Sequence, residues 1–128
     1  MKKILALALF LGITSAHAQL DYHPQGFSAM KEVQENGVEL LQMAEDGDKS
    51  AQNLMAVAAS FIAKETCSCL FVSQLPKDIC KENMPRLPIN IVPKVDPDTK
   101  TVTASIMLFK QTAKVKGANL GCVLIRKP

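Results

Sequence analysis

Four cysteines are the residues of this 128-residue chain whose type and spacing bear most directly on chemistry. Three fall within "TCSCLFVSQLPKDIC", at Cys67, Cys69 and Cys80, and the fourth is Cys122. Thiolates can hold a soft metal such as Cu(I) or Zn²⁺, can act as a redox dithiol, or can be joined covalently. Structural zinc sites favour Cys-x₂₋₄-Cys, and Cys67-x-Cys69 is tighter than that. A redox pair wants an exposed helix N-terminus, whereas this pair opens an apolar run. An even number of cysteines in an exported chain points to disulfides. Read as a strand, "CSCLFVS" puts Cys67 and Cys69 on one face about 6.6 Å apart, near the far limit for a bond between them. The expected links are therefore Cys67–Cys122 and Cys69–Cys80, with Cys67–Cys80 plus Cys69–Cys122 a close alternative. Thiol-based metal binding is a separate, competing reading.

"SAMK", Ser28 to Lys31, fits Ser-x-x-Lys, in which a helix-start serine is activated by a lysine one turn on. A minimal serine hydrolase built on Ser28 and Lys31 is the enzymatic alternative. The plainer reading is a helix cap at Ser28 followed by a solvated lysine. His17 belongs to the leader, and His23 stands alone in a polar stretch beside Pro24. A general base or metal ligand needs neighbours, so no catalytic residue, metal ligand or cofactor is assigned.

The elements that must position these residues begin after an expected signal peptide, residues 1–18. Lys2 and Lys3 precede an apolar Ile4–Ile13 run, and Ala16 and Ala18 suit cleavage before Gln19. The expected location is the periplasm or beyond a bacterial cell, with no membrane span in the mature chain, because no later stretch looks long and apolar enough. The formal net charge of +3 includes Lys2 and Lys3, so nothing argues for nucleic acid. Charge is unevenly placed. Residues 19–53 carry seven acidic side chains against Lys31 and Lys49, and residues 94–128 carry seven basic ones against Asp96 and Asp98. These halves would dock on each other, face partners, or simply be solvated.

Residues 19–26 read as an irregular leader and 27–128 as a single α+β domain. A first helix starts at the Ser28 cap, with Met30, Val33, Leu40, Leu41 and Ala44 at helical spacing. Gly37 weakens its middle and Gly47 ends it. A second runs to about Lys64, with Leu54, Val57, Ala58, Phe61 and Ile62 as its buried face. "CSCLFVS" reads as a buried strand, and "PKDICKENM" as a short helix opened by Pro76. Pro85, Pro88 and Pro93 make the next stretch extended. Asp96-Pro97 opens a turn. Thr101–Phe109 alternates as a strand, with Val102, Ala104, Ile106 and Leu108 inward. "TAKVK" and "CVLIR" complete an antiparallel meander of three or four strands. Two N-terminal helices pack on one face of that sheet.

"AKETCSCLFVS", "TVTAS" and "GANLGCVL" together resemble the segment that precedes the catalytic domain in exported bacterial serine hydrolases of the class C β-lactamase and penicillin-binding type. The resemblance covers about residues 58–125, roughly half the chain. It implies a small extracytoplasmic module that accompanies a hydrolase. The catalytic motifs do not carry over: Tyr22 is the sole tyrosine, so no Tyr-x-Asn exists, and "KVKG" is not Lys-Thr-Gly. The expected function is thus a small exported binding or accessory module, not an enzyme, with an envelope protein as its partner.

Overall fold

Helix α1, His23–Glu45, opens the part of the chain that a computed structural model describes, residues 23–117 and 121–125. The expected signal peptide, leader residues 19–22 and turn residues 118–120 lie outside the described residues. The helix starts five residues before Ser28, so residues 23–26 are helical and not an irregular leader, and Ser28 is not its cap. Pro24 does not prevent this, since a proline in the first helical turn lacks only an amide that would have no intrahelical partner. The buried stripe of Met30, Val33, Leu40 and Ala44 follows the expected period. Asn36, at φ −127° and ψ 20°, kinks the helix just before Gly37. Gly37 is buried, and a Cβ on it would sit 2.8 Å from Pro88 Cγ. The glycine that weakens the helix is therefore the place where the proline-rich segment crosses it.

Gly47, at φ +96°, turns the chain after α1. Asp48 then caps α2, Lys49–Cys67, its carboxylate accepting from the Ala51 amide at 2.9 Å. The buried face of α2 comprises Ala51, Met55, Ala58, Ala59, Ile62, Ala63, Thr66 and Cys67. Val57, expected inside, is 40% exposed, and Leu54 and Phe61 are half-buried. The stripe is rotated because α2 is covered on two sides, by α1 and by the sheet. Alanines permit both close approaches, while the bulkier Leu54 and Phe61 fit at the margins.

The expected strand at "CSCLFVS" is absent. Cys67 ends α2, and Ser68–Val72 continues it as one wider π-helical turn, closed by the Ser73 amide donating to the Ser68 carbonyl at 2.9 Å. The apolar, β-prone composition pointed the other way. No helix breaker intervenes before Pro76, however, and the buried positions of α2 run on without a break into Cys67. After a short connection, α3 spans Lys77–Glu82 behind Pro76.

The sheet has four antiparallel strands in sequential order: β1 Lys94–Asp96, β2 Thr101–Ile106, β3 Phe109–Gly117 and β4 Gly121–Leu124. Asp96 Oδ1 accepts from the amides of Asp98 and Thr99 at 3.0 and 3.4 Å, which forms the β1–β2 turn. The β2–β3 reversal differs from expectation. Thr101–Phe109 is not one strand, because Ile106 pairs with Phe109 and the chain turns at Met107-Leu108. Leu108, expected inward, is 92% exposed at the tip. No Gly, Asn or Asp marks this turn, so composition alone carried the strand too far. Val102, Ala104, Ile106, Ala113 and Cys122 form the inner face.

The two long helices pack on one face of this sheet, α2 directly across β2, β3 and β4, and α1 along the far side of α2. One hydrophobic cluster joins all three layers. The helix from Lys49 through Val72 is long and apolar enough, by length and composition, to cross a membrane. The expectation that no later stretch is long and apolar enough is corrected on this point. In this fold the same residues form the central core helix, because small apolar side chains suit burial between two layers.

Candidate binding surfaces

Two disulfides tie the carboxyl end of α2 to its surroundings. Cys67 joins Cys122 on β4 with Cα atoms 6.1 Å apart, and Cys69 joins Cys80 on α3 at 5.8 Å. The helical backbone explains how one short segment serves both links. Residues two apart on a helix point about 200° from each other, so Cys67 faces the sheet while Cys69 faces α3. All four sulfurs are paired in these disulfides, and none stands as a free thiolate. Among the described residues no group of three or more His, Cys, Asp and Glu side chains is arranged to hold a metal ion.

Ser28 and Lys31 are both exposed on α1, and no hydrogen bond joins them among the described residues. Ser28 borders a shallow hollow with Met30, Lys31, Gln34, Glu35, Phe61 and Pro85. A Ser-x-x-Lys nucleophile needs its lysine to receive the hydroxyl proton in a site that excludes water, and here both side chains are open to solvent. His17 lies outside the described residues.

A more enclosed concavity lies elsewhere, a groove of about 550 Å³ between the end of α2, α3 and the segment from Met84 to Val95. Its walls are apolar, with Ile62 and Leu70 from the α2 side and Met84, Leu87, Ile89 and Ile91 from the segment opposite. Lys77 and Lys81, four apart on α3, share the groove side of that helix, and Arg86 adds a third cation. Asp78 and Glu82 do not line it, and no acidic side chain does so among the described residues. Thr66 is the buried polar residue here, and its hydroxyl meets the Met84 sulfur at 3.8 Å. Residues 85–93 make no backbone hydrogen bond among the described residues. They lead into β1, an edge strand whose outer side has no strand partner among the described residues and whose Val95 also lines the groove. The sequence reading missed this site. Its one legible trace was the i, i+4 spacing of Lys77 and Lys81 beside a run of prolines.

The charge asymmetry becomes spatial. On the outer face of the sheet stand Lys94, Lys110, Lys114 and Lys116, among the hydroxyls of Thr101, Thr103, Ser105 and Thr112. Thr103 and Thr112 share a 2.9 Å hydrogen bond across β2 and β3. Asp96 is the single acid on that face among the described residues. The Thr99 hydroxyl and amide hold its carboxyl below the usual carboxylate range, helped by the Asp98 amide and the Lys94 charge. The acids Glu32, Glu35, Glu39 and Glu45 are exposed on α1, across α2 from the sheet. Among the described residues, the acidic side chains of α1 and the basic ones of the sheet therefore lie on opposite sides of α2 and do not dock on each other.

No protein-family model, curated protein or solved structure matches this chain.

Proposed function

We propose that this chain is a small exported binding module of the bacterial envelope, without catalysis of its own, that holds an extended segment of a partner protein. The observation that carries this reading is the apolar groove rimmed by Lys77, Lys81 and Arg86, with the edge strand β1 of the described sheet along it. An edge strand offers backbone donors and acceptors to an extended peptide, while pockets beside it select alternate side chains. The cationic rim favours acidic side chains and the walls favour apolar ones, so the fitting segment alternates the two. The two disulfides support an oxidising, extracytoplasmic location, and the expected signal peptide supports export to the periplasm or beyond. The resemblance to the leading segment of exported serine hydrolases supports such an enzyme as the partner.

A labelled heptapeptide alternating leucine and glutamate tests the reading by fluorescence anisotropy. It should bind, and the exposed double variant Lys81→Glu/Arg86→Glu should weaken it by about tenfold or more. Equal binding of a leucine–lysine peptide, or no change in the double variant, would overturn the reading. Covalent labelling of Ser28 by a penicillin or a phosphonate would overturn the non-enzymatic part.

A further inference from the structure

We propose that the outer sheet face and the β2–β3 hairpin tip form a docking surface for a bilayer of anionic phospholipid, with Leu108 dipping into the interface and Lys94, Lys110 and Lys114 lying against the headgroups. The first observation is the tip. A two-residue hairpin needs positive φ in its turn, and Gly, Asn and Asp take it with least strain. Here Met107 holds φ +54° while 46% exposed, and Leu108 beside it is 92% exposed. Both are large apolar side chains that no core element covers. In water this choice has no packing return, whereas at a lipid interface the exposed apolar surface is removed from water.

The second observation is independent of the tip. The face that carries Lys94, Lys110, Lys114 and Lys116 has Asp96 as its one acid, and that carboxylate is engaged by the amides of its own turn. Lysines on a flat face act together on an anionic surface, while hydroxyls among them can donate to phosphate oxygens. Lys110 stands two residues beyond Leu108 and pairs with Ser105, so the start of the basic face adjoins the apolar tip.

Orientation links the two. The acidic exposed face of α1 lies on the far side of the molecule. An anionic surface therefore repels that pole and attracts the sheet, which also brings the tip to the bilayer. The groove cations Lys77, Lys81 and Arg86 take no part, and the inference stands apart from the peptide reading.

Co-sedimentation with vesicles tests it, using the chain from Gln19, which keeps every residue of the hydrophobic core. Binding is expected to phosphatidylcholine vesicles containing phosphatidylglycerol, and is expected to fall as salt is raised. Leu108→Asp and Lys110→Glu/Lys114→Glu should each weaken it by about tenfold or more. Val38→Ser, which alters an exposed apolar side chain on α1, should leave it unchanged. Thermal melting checks that each variant is folded, and Leu108→Asn, which suits the turn, provides a second tip variant. Equal binding to pure phosphatidylcholine, no binding, or full binding by a folded tip variant would overturn the proposal. So would sedimentation without vesicles, which would assign the two poles to contacts between copies of the chain.

Discussion

Removing the Cys67–Cys122 bond should cost more stability than removing Cys69–Cys80, for two separable reasons. The first is the loop each bond closes. The sequence separations are 55 and 11 residues. On the chain-entropy model these correspond to about 4 and about 3 kcal/mol at room temperature. The second is packing. Cys67 and Cys122 are both buried in the main hydrophobic cluster, whereas Cys80 is as deeply buried but outside that cluster, and Cys69 is only half-buried. Cys→Ala at both ends of the first bond leaves methyl-sized voids in the core, at about 1 kcal/mol each. The paired variant Cys67→Ala/Cys122→Ala should therefore lose about 5–6 kcal/mol, and Cys69→Ala/Cys80→Ala, with one such void at Cys80, about 4 kcal/mol. The smaller loss corresponds to roughly 16–32 °C in Tm for a domain of this size, and the larger one approaches the whole stability of a small domain. Urea unfolding of oxidised protein, followed by far-ultraviolet circular dichroism, measures both. Peptide mapping of the parent protein checks the pairing at the same time. Equal losses, or a larger loss from the Cys69–Cys80 variant, would refute the argument from loop length and core membership.

Gly37→Ala should destabilise, although alanine in a helix gains about 1 kcal/mol over glycine. The new Cβ would lie 2.8 Å from a ring carbon of Pro88, and relieving that clash displaces the neighbouring buried Ile89. Overpacking costs about 1–3 kcal/mol, so a clearly raised urea midpoint in this variant would show that the proline segment does not press on α1. Asp96 should titrate below the usual carboxylate range, and Thr99→Ala should move its midpoint upward, because Thr99 supplies the largest hydrogen-bonding causes of the depression. With the folded value depressed, the stabilisation from this turn is present at neutral pH and is lost as pH falls through the folded value. Side-chain carboxyl NMR reads the titration directly, and an unchanged midpoint in Thr99→Ala would contradict the assigned cause.

What the sequence determined by itself was whatever rests on local pattern. The apolar period of α1, the Asp96 turn, the short helix behind Pro76 and the inward positions Val102, Ala104 and Ala113 all follow from side chains within a few residues of one another. So does the α+β class, since helical periods precede alternating ones. Tertiary structure decided the rest. Cys67 to Val72 has strand-like composition but is helical, and that backbone sends Cys67 and Cys69 to opposite sides. The links reasoned from a strand are thus made from a helix. Leu108 alternates correctly for a strand yet stands at a turn, since hairpin register depends on the partner strand and not on the residue itself. The face of α2 rotated because burial on two sides is a property of the three layers. The groove was illegible for a similar reason. Ile62, Lys81, Ile91 and Val95 are distant in sequence, and only the crossing of the proline segment over α1 at Gly37 sets that segment's course along the groove. The two charge blocks were visible as blocks, but their place at opposite poles came from the order of layers, α1 on α2 on the sheet.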